Sequence, residues 1–231
     1  MSRTPKYIFA GDFRDLESYF AACPHKDVSF RKGDYLWEPG EPFDRIHYIR
    51  SGVVQNYLVH ETGHRKIISF HAGGTIFPGF HYLHYQIEES LLSTAMTHVQ
   101  AYEYTQDQFA AMFAENFTLV RHVIDWFSSY TNLLIYDSGH QEYNSSFVRL
   151  CNLLYLLKLS DTGRQNLLHE LTQEELADTL GVSLMNVSRG LTELRHRGII
   201  ETKRKAITIL DADGLMALCS GETLAPPTTT V

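Results

Sequence analysis

Between Leu171 and Leu194 the chain reads LTQEELADTLGVSLMNVSRGLTEL, a run that few local structures accommodate. Thr172 stands where a helix needs an N-cap, and Glu175 three residues later completes a capping box. Leu176 and Leu180 recur on one helical face, and Ala177 is small where a second helix must cross closely. Gly181 supplies the left-handed residue of a tight turn. Ser183 is placed to cap a second helix, and Val182, Val187, Leu191 and Leu194 close a small core from the other side. The pattern is that of a helix-turn-helix, although an isolated match also occurs in ordinary helical hairpins. Here a second signal follows at once. Arg197 to Ile209 reads as a hairpin whose tip carries Lys203, Arg204 and Lys205, the layout of a wing. Six basic residues between Arg189 and Lys205 face only two acidic ones, in a chain of net charge −7. One basic face on an acidic protein points to a polyanionic partner.

In such an architecture the start of the second helix lies in the major groove of DNA, which nominates Leu184, Met185, Asn186, Ser188 and Arg189. Arg189 can fork onto guanine O6 and N7, and Ser188 can reach a base or a phosphate. Lys203, Arg204 and Lys205 are expected on phosphates, where they position without carrying sequence information. Thr172 and Ser183 complete the candidate DNA-contacting set.

Upstream, residues 28–104 alternate short apolar stretches with glycine turns such as Lys32-Gly33-Asp34, Arg50-Ser51-Gly52 and Ala72-Gly73-Gly74. Candidate strands fall at Tyr35–Trp37, Ile46–Ile49, Val53–Val59, Lys66–Phe70, Thr75–Phe77, Leu91–Met96 and His98–Tyr104, which suggests a sandwich or small barrel. The period then changes. From Asp107 to about Glu142 there is no proline, and Leu119, Val123, Trp126, Tyr130, Leu133 and Asp137 recur at steps of three and four. Phe127, Leu134 and Ile135 add a second apolar stripe. A helix this long is expected to pair with a second copy through the Leu119-to-Asp137 stripe, the alternative being an internal core helix. The expected organisation is α+β: a β domain over 1–106, a long dimerisation helix over 107–143, a winged helix-turn-helix over 144–222 and a frayed tail over 223–231.

Bulk properties exclude several classes. No window approaches the ~18 apolar residues of a membrane span, and the first residues lack the apolar core of a signal peptide, so a cytoplasmic location and no membrane partner are expected. Cys23, Cys151 and Cys219 are far apart and form no CxxC pair, which argues against a zinc or iron–sulfur site. Among twelve histidines, His81-x-x-His84 is the pair with metal- or haem-ligand potential. Its spacing puts the two on opposite faces of a strand, unlike an enzymatic cupin site, and scattered histidines account for it as well.

The glycine-punctuated β region, the long helix and the winged helix together resemble the Crp/Fnr superfamily of regulators, over about Val28 to Ala217. The echoes include Lys32-Gly33, Pro39-Gly40-Glu41, Ile49-Arg-Ser-Gly52, Ala72-Gly73-Gly74, Arg149 and Val187-Ser188-Arg189. The resemblance implies a cupin-like β-roll of the cyclic-nucleotide-binding type, a homodimer, a palindromic double-stranded DNA site, and RNA polymerase as partner if the chain activates. Cyclic-AMP sensors of the family hold the ribose with a Gly-Glu pair and the phosphate with an arginine. Here Phe80 stands near the glutamate position, and no Lys or Arg occurs from Ile67 to Leu119. A buried phosphate would lack its cation, so a cyclic nucleotide is not expected. Ser93-Thr94-Ala95-Met96 and the Gly73-Gly74…Gly79 spacing are similar to the haloaromatic-sensing branch. That nominates Phe77, Gly79, Phe80, Tyr82, Thr94, Met96, Tyr130 and Leu134 around an aromatic or halogenated aromatic effector. Leu184 and Met185 depart from the polar readers common in the family; they can meet thymine methyls or leave a base pair unread. Haem-based gas sensing remains the alternative for the effector. A metal-dependent cupin enzyme is the alternative for the class, though no enzymatic activity, metal or cofactor is the expectation.

Overall fold

The computed structural model describes residues 4–38, 41, 44–78, 91–160, 166–203 and 206–224. They fall into two compact units, Ile8–Tyr130 and a second made of Met1–Tyr7 with Thr131–Val231. The division lies within the long helix, at Tyr130/Thr131, and not at its end.

The first unit holds two four-stranded sheets. One has the order β1-β5-β4-β7, from Ile8–Phe9 (β1), Val53–Val59 (β4), Arg65–Ala72 (β5) and Leu91–Ala95 (β7). The other has the order β2-β8-β3-β6, from Lys26–Phe30 (β2), Arg45–Ser51 (β3), Thr75–Phe77 (β6) and Val99–Thr105 (β8). All ladders are antiparallel except β1 with β5. Glycine makes the turn from β3 to β4 possible: Gly52 has φ 87, and a Cβ there would lie 2.3 Å from the His98 carbonyl oxygen. The expected strand Tyr35–Trp37 is instead one isolated bridge, Tyr35 to Thr94. The short helix Glu17–Ala22 (α1) was not signalled by periodicity, and it plants Phe20 on Tyr48 with ring centroids 4.3 Å apart.

The expected helix over 107–143 is two helices. Gln106–Glu115 (α2) starts at a Thr105/Gln108 capping box and ends at Asn116, whose backbone is extended. Phe117–Tyr143 (α3) begins afresh, with the Asn116 side chain accepting a bond from the Leu119 N–H at 3.1 Å. Asn116 thus both ends one helix and caps the next, which is why hydrophobic period alone missed the break.

The second unit contains Ser146–Leu159 (α4), Gln173–Leu180 (α5), Leu184–His196 (α6), the hairpin Ile200–Lys203 (β9) with Ala206–Ile209 (β10), and Ala212–Met216 (α7). Its core gathers Leu150, Leu153, Leu154, Leu176, Leu180, Leu191 and Leu194, all buried. Gly190 lets α6 come close to α4: a Cβ there would sit 2.6 Å from Leu150 Cδ2.

α3 corrects the expected dimer seam. Leu119, Val123, Trp126 and Leu133 are buried by the chain itself, Tyr130 is half-buried, and the Asp137 carboxylate accepts a 2.7 Å bond from the Tyr7 hydroxyl. These groups already have their packing partners. The exposed apolar stripe is the other one: Phe117, Ile124, Phe127, Leu134 and Ile135.

Candidate DNA interface and effector site

The helix-turn-helix is built by its caps. The Thr172 hydroxyl accepts from the Glu175 N–H at 3.1 Å, and the Glu175 carboxylate accepts from the Thr172 N–H at 2.8 Å. The same carboxylate also accepts from the Thr172 hydroxyl at 2.9 Å, so this threonine is engaged in the cap. Gly181 ends α5 in the left-handed conformation, φ 60 and ψ 43, which an L side chain adopts only with strain. The Ser183 hydroxyl then caps α6 by accepting from the Asn186 N–H at 3.2 Å.

On α6, Val187, Gly190, Leu191 and Leu194 are buried, while Leu184, Met185, Asn186, Ser188 and Arg189 are exposed. At four residues' separation Met185 and Arg189 share the outward stripe. The basic residues divide by task. Arg197 donates to Glu193 at 2.8 Å and lies over the Phe147 ring. Arg195 donates to Thr192 at 2.8 Å and to Thr202 of the wing at 2.9 Å. Arg189 has no hydrogen bond or ion pair among the described residues, so its fork is open to a ligand. Lys203, at the end of β9, makes only an exposed 3.3 Å pair with Glu201. Arg204 and Lys205 lie outside the described residues.

In the first unit a polar band crosses one face of the sheet. Asn56 is registered with Ser69 on one side and Ser93 on the other, so the three share a face. Asn56 Nδ2 reaches Ser69 Oγ at 3.5 Å, and Ser69 Oγ lies 3.1 Å from His71 Nε2. Aromatic rings surround His71: Phe77 at 4.7 Å, Phe9 at 5.2 Å, Trp126 at 5.9 Å and Tyr130 at 6.4 Å. Asn56 Oδ1, Ser93 Oγ and Trp126 Nε1 are buried without a hydrogen-bond partner among the described residues. Burial pushes the His71 imidazole down to about 3, so it is neutral at physiological pH. The band therefore offers donors and acceptors but no formal charge.

Of the residues nominated for the effector, Phe77 and Tyr130 border this band. Thr94 faces the other way: it pairs with Gln55, whose side-chain amide donates to its hydroxyl at 3.1 Å. Met96 is buried beyond the end of β7, and Leu134 is exposed on α3. Gly79, Phe80 and Tyr82 lie outside the described residues, as do His81 and His84. Sequence reasoning missed Asn56, Ser69, His71 and Ser93, and it assigned Trp126 to a seam. The signal was present as polar residues at alternate places, Ser69 and His71, between the apolar Ile68, Phe70 and Ala72 of β5. Among the described residues no group of three or more His, Cys, Asp or Glu side chains is placed to hold a metal, and no helix is long and apolar enough to cross a membrane.

Comparison with known proteins agrees with both halves. Residues 27–116 match the model of a cyclic nucleotide-binding domain, and residues 148–218 that of a Crp-like helix-turn-helix domain. Electron transport regulator A of Shewanella oneidensis is 23% identical over 197 residues, covering 84% of this chain and 79% of the relative. A CRP-like cAMP-activated global transcriptional regulator of Mycobacterium tuberculosis is 24% identical over 220 residues, covering 89% and 95%. Among solved structures, CprK complexed with OCPA superposes with a TM-score of 0.69 at 18% identity, over 91% of this chain and 98% of the other. With a ligand-binding β domain and a winged helix-turn-helix both matched in sequence, the chain belongs to the Crp/Fnr family of DNA-binding transcription regulators.

Proposed function

We propose that this regulator binds, as a homodimer, a palindromic DNA site through α6 and the β9–β10 wing, and that an uncharged small molecule in the β unit controls it. The observation that carries the DNA reading is the outward face of α6, where Arg189 has no hydrogen-bond or ion-pair partner among the described residues while the neighbouring arginines are occupied. In this reading Arg189 discriminates guanine, and Lys203, with Arg204 and Lys205, grips phosphate. The N-termini of α5 and α6, which Thr172 and Ser183 cap, meet the DNA backbone. RNA polymerase is the further partner if the chain activates transcription.

The dimer is proposed to form along Phe117, Val120, Ile124, Phe127, Thr131 and Leu134, which repeat at the a and d spacing of a coiled coil. The effector is proposed to contact Asn56, Ser69, His71, Ser93, Trp126 and Tyr130. The aromatic rings around His71 favour an aromatic ligand, halogenated ones included, and the missing cation disfavours a cyclic nucleotide. Because Trp126 and Tyr130 belong to α3, a ligand there acts on the helix that pairs the two copies and shifts the population of dimer arrangements.

The test is selection of bound duplexes from random DNA, followed by binding titrations on the selected and a scrambled sequence at several salt concentrations. Arg189→Ala is expected to lose discrimination at one symmetric base pair, by about 10- to 100-fold. Lys203→Ala is expected to weaken both sequences alike and flatten the salt slope by about one. Equal loss on both sequences for Arg189→Ala would make that residue a phosphate anchor and end the base-reading assignment.

A further inference from the structure

We infer that Leu184 and Met185 read thymine methyl groups beside the base pair that Arg189 contacts, an inference that rests on the proposed role of α6 in the major groove. The core of the domain does not explain them. Val187, Leu191 and Leu194 complete the inward stripe of α6 and are 1%, 1% and 0% exposed, whereas Leu184 and Met185 are 44% and 60% exposed. They also do not serve the helix start, because the Ser183 hydroxyl caps it. Two large apolar side chains thus stand in water on the first turn, directly ahead of a guanidinium that has no partner among the described residues.

The chemistry of the groove selects their partner. Purine edges and cytosine present hydrogen-bonding groups there, and pressing Met or Leu on them would strip water without replacing its bonds. The thymine C5 methyl is the apolar group in that groove. Geometry gives the position. Met185 precedes Arg189 by four residues, about 6 Å along the helix axis. With base pairs rising about 3.4 Å each, the thymines fall within about two steps of the guanine, on the side facing the N-terminus of α6.

The experiment uses the full chain and the duplex enriched by selection from random DNA. Each thymine is replaced singly by deoxyuridine, which removes the methyl and leaves every hydrogen-bonding group. The guanine position is located as the one at which Arg189→Ala loses discrimination. Wild-type protein is expected to bind about fourfold more weakly for each contacted methyl removed, at thymines within those two steps. Leu184→Ala and Met185→Ala are expected to bind the thymine site more weakly and to have lost the deoxyuridine penalty, each at its own position. Both residues are exposed, so the variants should melt as the wild type does. An enriched site without thymine at these steps, a wild type indifferent to deoxyuridine, or variants that keep the full penalty would each overturn the inference and leave DNA binding intact. No enriched sequence at all would remove it together with the reading it rests on.

Discussion

At the scale of residues, the His71 imidazole is held neutral by burial, with its pKa near 3 against about 6.5 in an unfolded chain. The sign follows directly. Between those values the unfolded state binds a proton that the folded state refuses, so stability falls as the pH drops from about 6.5 toward 3, by up to about 1.4 kcal/mol per pH unit for this group. His47, also depressed by burial, acts in the same direction. Glu103, lowered to about 2 by its bond from His47, adds stability that is lost only at more acid pH. Urea unfolding at pH 6 and pH 5 should therefore show His71→Leu losing less stability on acidification than the wild type; parallel losses would place the titrating proton elsewhere. In the sequence His71 is one of twelve histidines, marked only by its alternation with Ser69, and its surroundings follow from the strand register that puts it beside Ser69 and under Trp126. Arg189, by contrast, was legible because its place follows from the caps and the turn, which are local.

At the scale of elements, α3 shows where sequence periodicity stops deciding. Leu119, Val123, Trp126, Tyr130 and Leu133 keep the same steps of four and three as a coiled-coil seam. So do Phe117, Val120, Ile124, Phe127, Thr131 and Leu134. Spacing tells that a stripe is buried but not by what, and the fold assigns the first stripe to the chain itself. Two substitutions separate these roles. Ile124→Glu is expected to leave folding intact and shift the protein toward monomer in sedimentation, because the charge would enter only the pairing surface. Leu133→Glu is expected to lower the melting temperature sharply, because it buries an unpaired charge within each copy. If Ile124→Glu sediments as the wild type does, the exposed stripe is not the seam. On α6, Gly190→Val pushes against Leu150 at a contact a Cβ would already make at 2.6 Å. A loss of about 1–3 kcal/mol in unfolding free energy, read from urea denaturation, is expected, and a neutral result would show that α4 can yield. The helix-turn-helix itself was readable to its caps, whereas the break at Asn116 was not, since one side chain there does two jobs.

At the scale of the whole molecule, ligand and DNA must be linked through one free energy if the β unit is a sensor. Cyclic AMP is expected to leave the melting temperature unchanged at millimolar concentration, for want of a Lys or Arg between Ile67 and Leu119; a rise of several degrees would overturn the charge argument. The broad order of β unit, long helix and winged helix was legible because turn glycines and helix caps are local chemistry. The polar band was not, because it is assembled across three strands whose pairing only the fold supplies. Tyr7 belongs with the helix-turn-helix unit, where its buried hydroxyl donates to Asp137, 130 residues later, while its neighbours Ile8 and Phe9 pair with β5. As the chain leaves the ribosome, Tyr7 emerges early and its partner only after the entire β unit. The DNA-reading half therefore cannot finish assembling from its own late-made residues; it needs a side chain made before the whole β unit, and a fragment beginning at Thr131 would leave Asp137 without it.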